Sequence, residues 1–219
     1  MFTQTATATA LGLKTVTWLE RALDNRADCS ELDGLRDAFY ARARLENHRA
    51  EQRIAGYRTL RERIGRSVRR YPPSPLALHA QFQRRQALLP VNPAVDIYNL
   101  VSLVTGLSIG AHDLAAVAGN VRLDTTRGDE VFYPLGSATA RPVPAGEYAY
   151  LDEQDRVLCR MEYRQSAHSC VTRDSRDCLF IVQGHSGTGH ELLLQTAQQV
   201  SDLLKTWCSA RTGERWFTP

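Results

Sequence analysis

The sequence predicts an α+β fold in which a mixed β-sheet core carries flanking helices and follows an arginine-rich helical segment. Strand-like segments are concentrated between residues 120 and 182, and helical periodicity dominates on either side. The chain has 219 residues, which is enough to bury a large core without a metal or a disulfide. We therefore expect an N-terminal segment, residues 1–75, packed as one globular unit with a larger module, residues 76–219.

The N-terminal segment is predicted to contain one strand and one long helix. The Thr/Ala repeat near the N-terminus indicates a frayed tail, and residues 11–19 are rich in side chains that favour extended backbone. Residues 30–70 show helical spacing of apolar residues, with an interruption expected near Gly56. The prolines within residues 72–75 then end this helix.

Two helices are predicted next, one over residues 76–88 and one that begins at Asn92. Asn92 is a suitable N-cap, and Pro93 fits the first turn, where its missing N–H is no loss. Apolar residues then recur at helical spacing as far as Val104, and Gly106 is expected to end the helix.

The second half of the chain predicts most of the sheet. Residues 120–135 resemble a hairpin with its turn at residues 127–129, and residues 147–151 and 157–163 predict a strand pair. Residues 179–182 predict a short buried strand. A glycine-rich loop, residues 184–189, then opens an amphipathic last helix. This loop is neither a Walker loop nor a hydrolase nucleophile elbow, so a simple strand-to-helix connection is expected.

Composition excludes several classes of protein. No apolar stretch is long enough for a transmembrane helix, and the N-terminus has no secretory pattern, so we expect no membrane and a cytoplasmic location. The five cysteines form no C-x-x-C pair, which favours reduced, buried thiols. We expect no metal and no cofactor.

Positive charge is concentrated in an arginine block between Arg36 and Arg85, although the formal net charge is only +3. Guanidinium groups bind phosphate in bidentate fashion, and such a surface repels itself unless a polyanion neutralises it. The alternative is a solvated helix face without a partner. The arginine surface, our candidate for RNA binding, consists of Arg58, Arg63, Arg66, Arg69, Arg70, Arg84 and Arg85. The last two precede the Asn92 helix and are expected at the mouth of a pocket.

A polar cluster follows the start of the Asn92 helix. His112 is its one side chain with an ordinary pKa near neutrality, so it can serve as a proton shuttle. We take His112, Asp96 and Asn99 as candidate catalytic residues, with Asn92, Tyr98, Gly110 and Asp113 as further pocket residues. The alternative is that Asn92, Asp96 and Asp113 only cap helix starts.

A second polar motif, Tyr163-Arg164-Gln165-Ser166, lies at the end of a predicted strand, where alternate side chains can converge on a pocket. Arg164 can bind a carboxylate or a phosphate. The alternative is a surface ion pair with Asp174 or Asp177. The pocket residues added here are Arg164, Gln165, Ser166 and Thr172.

Several motifs resemble one known family in order and spacing. They are LPVNPAVDIYN (residues 89–99), GLSIGAHDL (residues 106–114), GNVRL (residues 119–123), PAGEYAYLDEQDRVLCR (residues 144–160), YRQS (residues 163–166) and VTRDSRDCLFIV (residues 171–182). They resemble the editing and tRNA-binding (B3/B4) module of the phenylalanine–tRNA ligase beta subunit, and more closely its free-standing relatives. The resemblance covers the chain from about residue 72 onward and implies the fold of that module, a tRNA or aminoacyl-tRNA partner, and a role in translation quality control.

The resemblance also shows departures at two editing positions. The turn histidine of the module falls at Gly110, and its pocket glutamate falls at about Ile181, with Gln183 nearby. Three functions remain open: a tRNA-binding module, a trans-editing deacylase that hydrolyses a mischarged aminoacyl-tRNA, and an amino-acid sensor without tRNA. The chain has neither the length nor an ATP-binding motif of a synthetase core, so we expect no ligase activity.

Overall fold

Nine strands form two sheets in residues 1–218, the part of the chain that the computed structural model describes, with side chains described as far as Arg215. The strands are β1 (Phe2–Gln4), β2 (Lys14–Arg21), β3 (Ser108–Asp113), β4 (Val121–Thr125), β5 (Tyr148–Leu151), β6 (Val157–Arg160), β7 (Arg164–Gln165), β8 (Cys178–Gly184) and β9 (Arg211–Thr218). The α-helices are α1 (Ala6–Ala10), α2 (Asp33–Arg63), α3 (Ser74–Arg85), α4 (Pro93–Thr105) and α5 (His190–Cys208).

The two sheets differ in strand direction. The larger sheet has the order β1-β4-β5-β6-β7, in which β1 runs parallel to β4 and the other neighbours are antiparallel. The smaller sheet has the order β3-β8-β2-β9 and is antiparallel throughout. The predicted α+β class with a mixed sheet is confirmed, and the strands are divided between two sheets. The N-terminal strand β2 lies inside the smaller sheet, so residues 1–75 and 76–219 share it.

The sheets and helices form three layers, because alternate residues of a strand point to opposite faces. Phe180 and Val182 of β8 pack in the cluster that includes α4 and α5, whereas Leu179 and Ile181 pack in the cluster that includes β4 and β5. The smaller sheet is therefore covered by helices on one face and by the larger sheet on the other. No helix of the described chain is long and apolar enough to cross a membrane.

Helix α2 continues through Gly56, so the predicted interruption is wrong. The His185 ring lies where a side chain at position 56 would be, since a β-carbon there would come within 2.1 Å of His185 Cε1. This glycine makes room for a neighbour and does not bend the backbone. The helix ends at Arg63, earlier than predicted, and Gly65 follows with a φ of +65°.

Two other predictions are also wrong. The Thr/Ala repeat is not frayed: it forms α1, whose N-cap Thr5 accepts a hydrogen bond from the Ala8 N–H.

Residues 120–135 do not form a hairpin, because β4 pairs with β1 and β5. The Glu130 carboxylate accepts N–H bonds from Arg127 and Gly128, and the chain beyond it makes only isolated bridges. Strand β9 was not predicted.

Helix α4 follows the prediction closely. The Asn92 side chain accepts a hydrogen bond from the Val95 N–H at 3.0 Å, which satisfies a donor of the first turn. Gly106 ends the helix in the left-handed conformation, with a φ of +68°, and its N–H donates to the Ser102 carbonyl. Nearly every residue between these caps is buried, so α4 is a core helix.

Candidate functional site

A cavity of about 180 Å³ lies between the two sheets, beside the edge strand β3. Helix α4, strands β3, β5 and β8, and the turn from β6 to β7 all contribute to its wall. The lining residues are Ser74, Tyr98, Asn99, Ser108, Ile109, Gly110, Ala111, His112, Tyr150, Cys159, Glu162, Tyr163, Arg164, Gln165, Ile181 and Gln183. Eight of these sixteen residues carry polar or charged side chains, and the rest supply aromatic, aliphatic, thiol or glycine surface.

Six of the side chains or positions predicted from the sequence meet at this cavity: Tyr98, Asn99, Gly110, His112, Arg164 and Gln165. Gly110 leaves space in the wall, because a β-carbon there would have no atom within 4 Å. Arg164 is exposed and marks the open side. It forms no ion pair with Asp174 or Asp177, which bind other arginines.

The remaining predicted pocket residues lie outside the cavity and have structural partners. Asp96 forms an ion pair with Arg36 at 2.7 Å and accepts the Val91 N–H, so the expected catalytic trio is not assembled around the cavity. Asp113 caps a short 3₁₀ turn through the Ala115 N–H. The others are Asn92, which caps α4, Ser166, which accepts the His168 N–H, and Thr172, which accepts the Asp174 N–H.

The pKa of the His112 side chain differs from the value expected from the sequence. Its Nδ1 lies 3.1 Å from the Ser169 hydroxyl, and the ring is only 2% exposed. Burial lowers the pKa of His112 from 6.5 to about 4, so the ring is neutral at pH 7 and is a weak base. The expectation of a near-neutral pKa is therefore corrected, and a catalytic role for His112 stays a prediction.

Burial of His112 predicts an acid-sensitive fold. The pKa of His112 is lower in the folded chain than in the unfolded chain. The contribution of the neutral His112 ring to the stability of the fold is therefore complete above pH 6.5 and is lost as the pH falls towards 4. We expect the wild type to lose about 2 kcal/mol of unfolding free energy from this group between pH 7 and pH 5. Urea unfolding at both pH values, with His112→Gln as the control, measures it. An equal loss in the two proteins would contradict this assignment.

Cys159 is the thiol of the cavity wall, and burial raises its pKa to about 12. A protonated thiol is a poor nucleophile at neutral pH. We therefore assign Cys159 to the wall of the cavity and not to covalent chemistry.

A buried ionic network at the cavity was missed by the sequence reasoning. Glu162 Oε1 lies 2.7 Å from an Arg61 guanidinium nitrogen, and Glu162 Oε2 accepts hydrogen bonds from Tyr148 and Gln183, each at 2.7 Å. Arg61 also donates to the Tyr148 hydroxyl and is fully buried. Burial raises the pKa of the Glu162 carboxyl, and the charge of Arg61 opposes that rise. Both carboxylate oxygens are thus occupied by the protein itself.

The backbone of Glu162 is unusual. Met161 and Glu162 have φ values of +53° and +39°, and the Tyr163 N–H donates to the Arg160 carbonyl across the turn between β6 and β7. Non-glycine residues in the left-handed region cost roughly 1–2 kcal/mol each. The contacts of the Glu162 side chain offset this cost. The sequence carries no glycine or asparagine here, so no turn signal was available.

The arginine surface divides into bound and free groups. Arg66 forms an ion pair with the buried Glu147, and Arg63 donates to the Leu11 carbonyl at 2.9 Å. Arg70 lies over the Tyr71 ring, with its guanidinium carbon 5.4 Å from the ring centroid. The members of this surface that are exposed and have no ion pair, hydrogen bond or ring contact in the described chain are Arg58, Arg69, Arg84 and Arg85.

Arg84 and Arg85 are not at the mouth of the cavity, contrary to expectation. The cavity touches Ser74, which is the first residue of α3, whereas Arg84 and Arg85 are the last two residues of that helix. At the usual rise of an α-helix, about 15 Å of helix separates them from Ser74.

The fold is thus an α+β module with a cavity between two stacked sheets. The chain belongs to the B3/4 domain family, which matches residues 56–201. The family predicted from the motifs is thereby confirmed. The match begins within α2, after strand β2.

A solved structure shows the same fold. It is the crystal structure of an N-terminal fragment of the phenylalanyl-tRNA synthetase beta-subunit from Pyrococcus horikoshii, with a TM-score of 0.54 and 13% sequence identity. The similarity covers 100% of this chain and 53% of that chain, so this protein spans about half the length of the fragment. No curated protein matches the sequence.

Proposed function

We propose that this protein is a tRNA-binding module whose cavity receives a group carried at the acceptor end of the tRNA. The observation that carries the proposal is the position of exposed Arg164 on the wall of a cavity that also has aromatic and polar lining. An arginine at an opening can bind a phosphate while the attached group enters the cavity. Membership of the B3/4 family and the fold shared with a tRNA synthetase fragment support a tRNA-related partner.

The side chains of the cavity favour binding over proton transfer. His112 is neutral and has a pKa of about 4, and the carboxylate of Glu162 is occupied by Arg61, Tyr148 and Gln183. A general base works best when its pKa lies near the operating pH. His112 does not meet this condition, and both oxygens of the Glu162 carboxylate already bind protein groups, which supports the binding function as the first candidate.

Charge reversal on the exposed arginines tests the proposal. Arg58→Glu/Arg69→Glu should weaken tRNA binding at least about tenfold at low salt, because two phosphate contacts become repulsive. Filter binding across a salt series measures the affinity and its salt slope. The matched control is Arg49→Glu/Arg176→Glu, which changes the same net charge at two exposed arginines outside the arginine surface. If wild type and both double variants bind tRNA equally, or if the wild type does not bind, the proposal is wrong.

A second candidate is a trans-editing deacylase. The hydroxyls of Ser74 and Ser108 lie 3.0 Å apart at the cavity, and Asn99 and Gln165 add amide groups. Such groups can position a water molecule against an aminoacyl ester without a protein base. Release of amino acid from a panel of mischarged tRNAs tests this activity, with Gln165→Ala and Arg164→Ala as variants.

The same purified protein can be tested for the third function, that of an amino-acid sensor. Thermal stabilisation by a free amino acid, in a protein that binds no tRNA, would favour an amino-acid sensor. Stabilisation by tRNA alone would support the binding module.

A further inference from the structure

Strand β9 is an outer strand of the smaller sheet, and its one strand partner in that sheet, within the described chain, is β2. We propose that Glu20 of β2 is a pH-sensitive latch for β9: the neutral carboxyl group holds the strand in place, and ionisation of that group releases it. Glu20 lies near the end of β2, directly opposite Thr212 of β9. The inference concerns the fold alone and does not rest on the proposed function.

The side chain of Glu20 is enclosed where three elements meet. The residue is 0% exposed, and its Oε1 accepts the indole N–H of Trp18 at 2.8 Å and the hydroxyl of Thr212 at 3.2 Å. The Thr212 hydroxyl also lies 2.8 Å from the hydroxyl of Ser201, a buried residue of α5. The carboxyl group therefore joins β2, β9 and α5 at one point.

The second carboxyl oxygen of Glu20 has no partner. Glu20 Oε2 is buried and makes no hydrogen bond in the described chain. An ionised carboxylate in this position has lost its water and has gained neither a donor on this oxygen nor an opposite charge in contact, which is costly in a protein interior. The neutral form carries no charge, so its burial costs much less.

The other buried acids differ from Glu20 in this respect. Within the described part of the chain, each of them has an arginine or backbone N–H groups as partners: Asp96, Glu130, Glu147, Asp152 and Glu162. The hydrogen bonds of Glu20 come only from an indole and a hydroxyl. The fold thus keeps five buried acids compensated and leaves this one exposed to the cost of its own charge.

The charges near Glu20 do not replace a direct partner. Burial raises the pKa of Glu20, and the nearby donors and the charge of Lys205 on α5 oppose that rise only in part. The Lys205 ammonium group lies 3.6 Å from the Asp202 carboxylate, so its charge is shared.

The neighbouring strands carry the remaining titratable side chains around this point, namely Arg21, Cys178, Arg211, Glu214 and Arg215. Arginines keep their charge throughout the ordinary pH range. Burial raises the pKa of the Cys178 thiol, which lies opposite Glu20 on β8, so it stays neutral as well. Glu214 is exposed on β9 and supplies the matched control below.

The latch opens as the pH rises. The pKa of Glu20 is higher in the folded chain than the unfolded value of 4.5. Its contribution to the docking of β9 is therefore complete below pH 4.5 and is lost as the pH rises through the raised pKa.

Release of β9 leaves the cavity wall in place. The smaller sheet contributes to that wall through β3 and β8, which lie on the other side of β2 from β9. Detachment of β9 instead uncovers the edge of β2, whose backbone N–H and C=O groups are then free to pair with another strand.

Backbone hydrogen exchange of the full chain across a pH series, corrected for the intrinsic exchange rate at each pH, tests the latch. We expect the protection of residues 211–218 to fall by about tenfold or more from about pH 5 to about pH 8, since each unit by which a pKa is raised corresponds to a factor of ten. The amides of β4 and β5, in the larger sheet, are the internal reference and should not show this fall.

Two substitutions identify the group responsible. Glu20→Gln cannot ionise, so the protection of its β9 should not fall with pH. Glu214→Gln removes the same charge from an exposed position on β9 and should behave as the wild type does. The same fall in Glu20→Gln as in the wild type, or no fall in the wild type, would overturn the latch.

The indole of Trp18 gives a second readout that needs no variant to fold. Because its N–H donates to Glu20, we expect its NMR resonance in the wild type to shift with a midpoint above pH 4.5. A resonance that keeps its position over the series, or a midpoint at or below pH 4.5, would also overturn the latch. Neither experiment contains tRNA, so its failure leaves the proposed function standing.

Discussion

Replacing Arg61 with methionine is expected to lower the free energy of unfolding by about 3–5 kcal/mol. Arg61 is fully buried and binds the Glu162 carboxylate, the Tyr148 hydroxyl and two backbone carbonyls. Methionine fills a similar volume but leaves the carboxylate of Glu162 in the interior without its opposite charge. Urea unfolding at pH 7, followed by tryptophan fluorescence, measures the change.

The partner substitution shows whether the cost comes from an unpaired charge. In Arg61→Met/Glu162→Leu both charges are absent, so we expect the double variant to recover about 2 kcal/mol or more of the loss. The stability difference between Arg61→Met and the wild type should also become smaller at acidic pH. Burial raises the pKa of Glu162 above its unfolded value, and protonation removes the buried charge. A loss below 1 kcal/mol in Arg61→Met, or no recovery in the double variant, would contradict this account.

Gly106→Ala is expected to lower the unfolding free energy by about 3 kcal/mol, the sum of a backbone and a packing cost. Gly106 has a φ of +68°, which an alanine adopts only with strain. A β-carbon there would lie 2.6 Å from the Ala50 carbonyl oxygen and 2.9 Å from the Ala50 Cα. Because these atoms belong to the backbone of α2, the two helices must move apart.

The control for Gly106→Ala is Gly110→Ala, four residues along the chain. A β-carbon at Gly110 has no neighbour within 4 Å, and this glycine does not have a positive φ. We expect less than about 1 kcal/mol of change in its stability, consistent with a substitution at a position without strain or crowding. Thermal and urea unfolding of both variants provide the comparison. Equal losses would mean that the approach of α4 to Ala50 is not the cause.

The bounds and the buried face of α4 were predicted well, because the residues that determine them lie within the helix or next to it. Asn92, Pro93 and Gly106 are adjacent to the turns that they stabilise, and the apolar spacing between them is regular. The first of the motifs that resemble the family, residues 89–99, spans the start of this helix. The six predicted residues that meet at the cavity come from this helix, from β3 after it, and from the Tyr163 motif.

The rest of the site depends on contacts between distant residues. Arg61 belongs by sequence to a row of cationic side chains, and only its pairing with Glu162, about a hundred positions later, makes it a core residue. The Glu162 turn has two non-glycine residues at positive φ, which tertiary contacts stabilise and no local pattern indicates. Arg141 lies in a loop without periodicity, so its place in one surface recess with Tyr71 and Arg164 could not be predicted.

The pairing partners of β4 were predicted wrongly for a related reason. The hairpin expected in residues 120–135 would have paired neighbours, whereas β4 pairs with β1 at the N-terminus and with β5 beyond a long loop. Hydrophobic alternation identifies a strand but does not name its partner. The Glu130 carboxylate, which binds two backbone N–H groups, stabilises the turn that leads the chain away from β4.

The place of β2 between β8 and β9 has a consequence for how the protein is made. Residues 14–21 are translated before both of their hydrogen-bonding neighbours, residues 178–184 and 211–218, which lie far along the chain from them. At ordinary rates of translation, this strand waits roughly 10–30 s for a partner. A nascent chain of this protein therefore carries an unpaired, Trp- and Val-containing strand until β8 and β9 are made, and chaperone contact with it is expected during that interval.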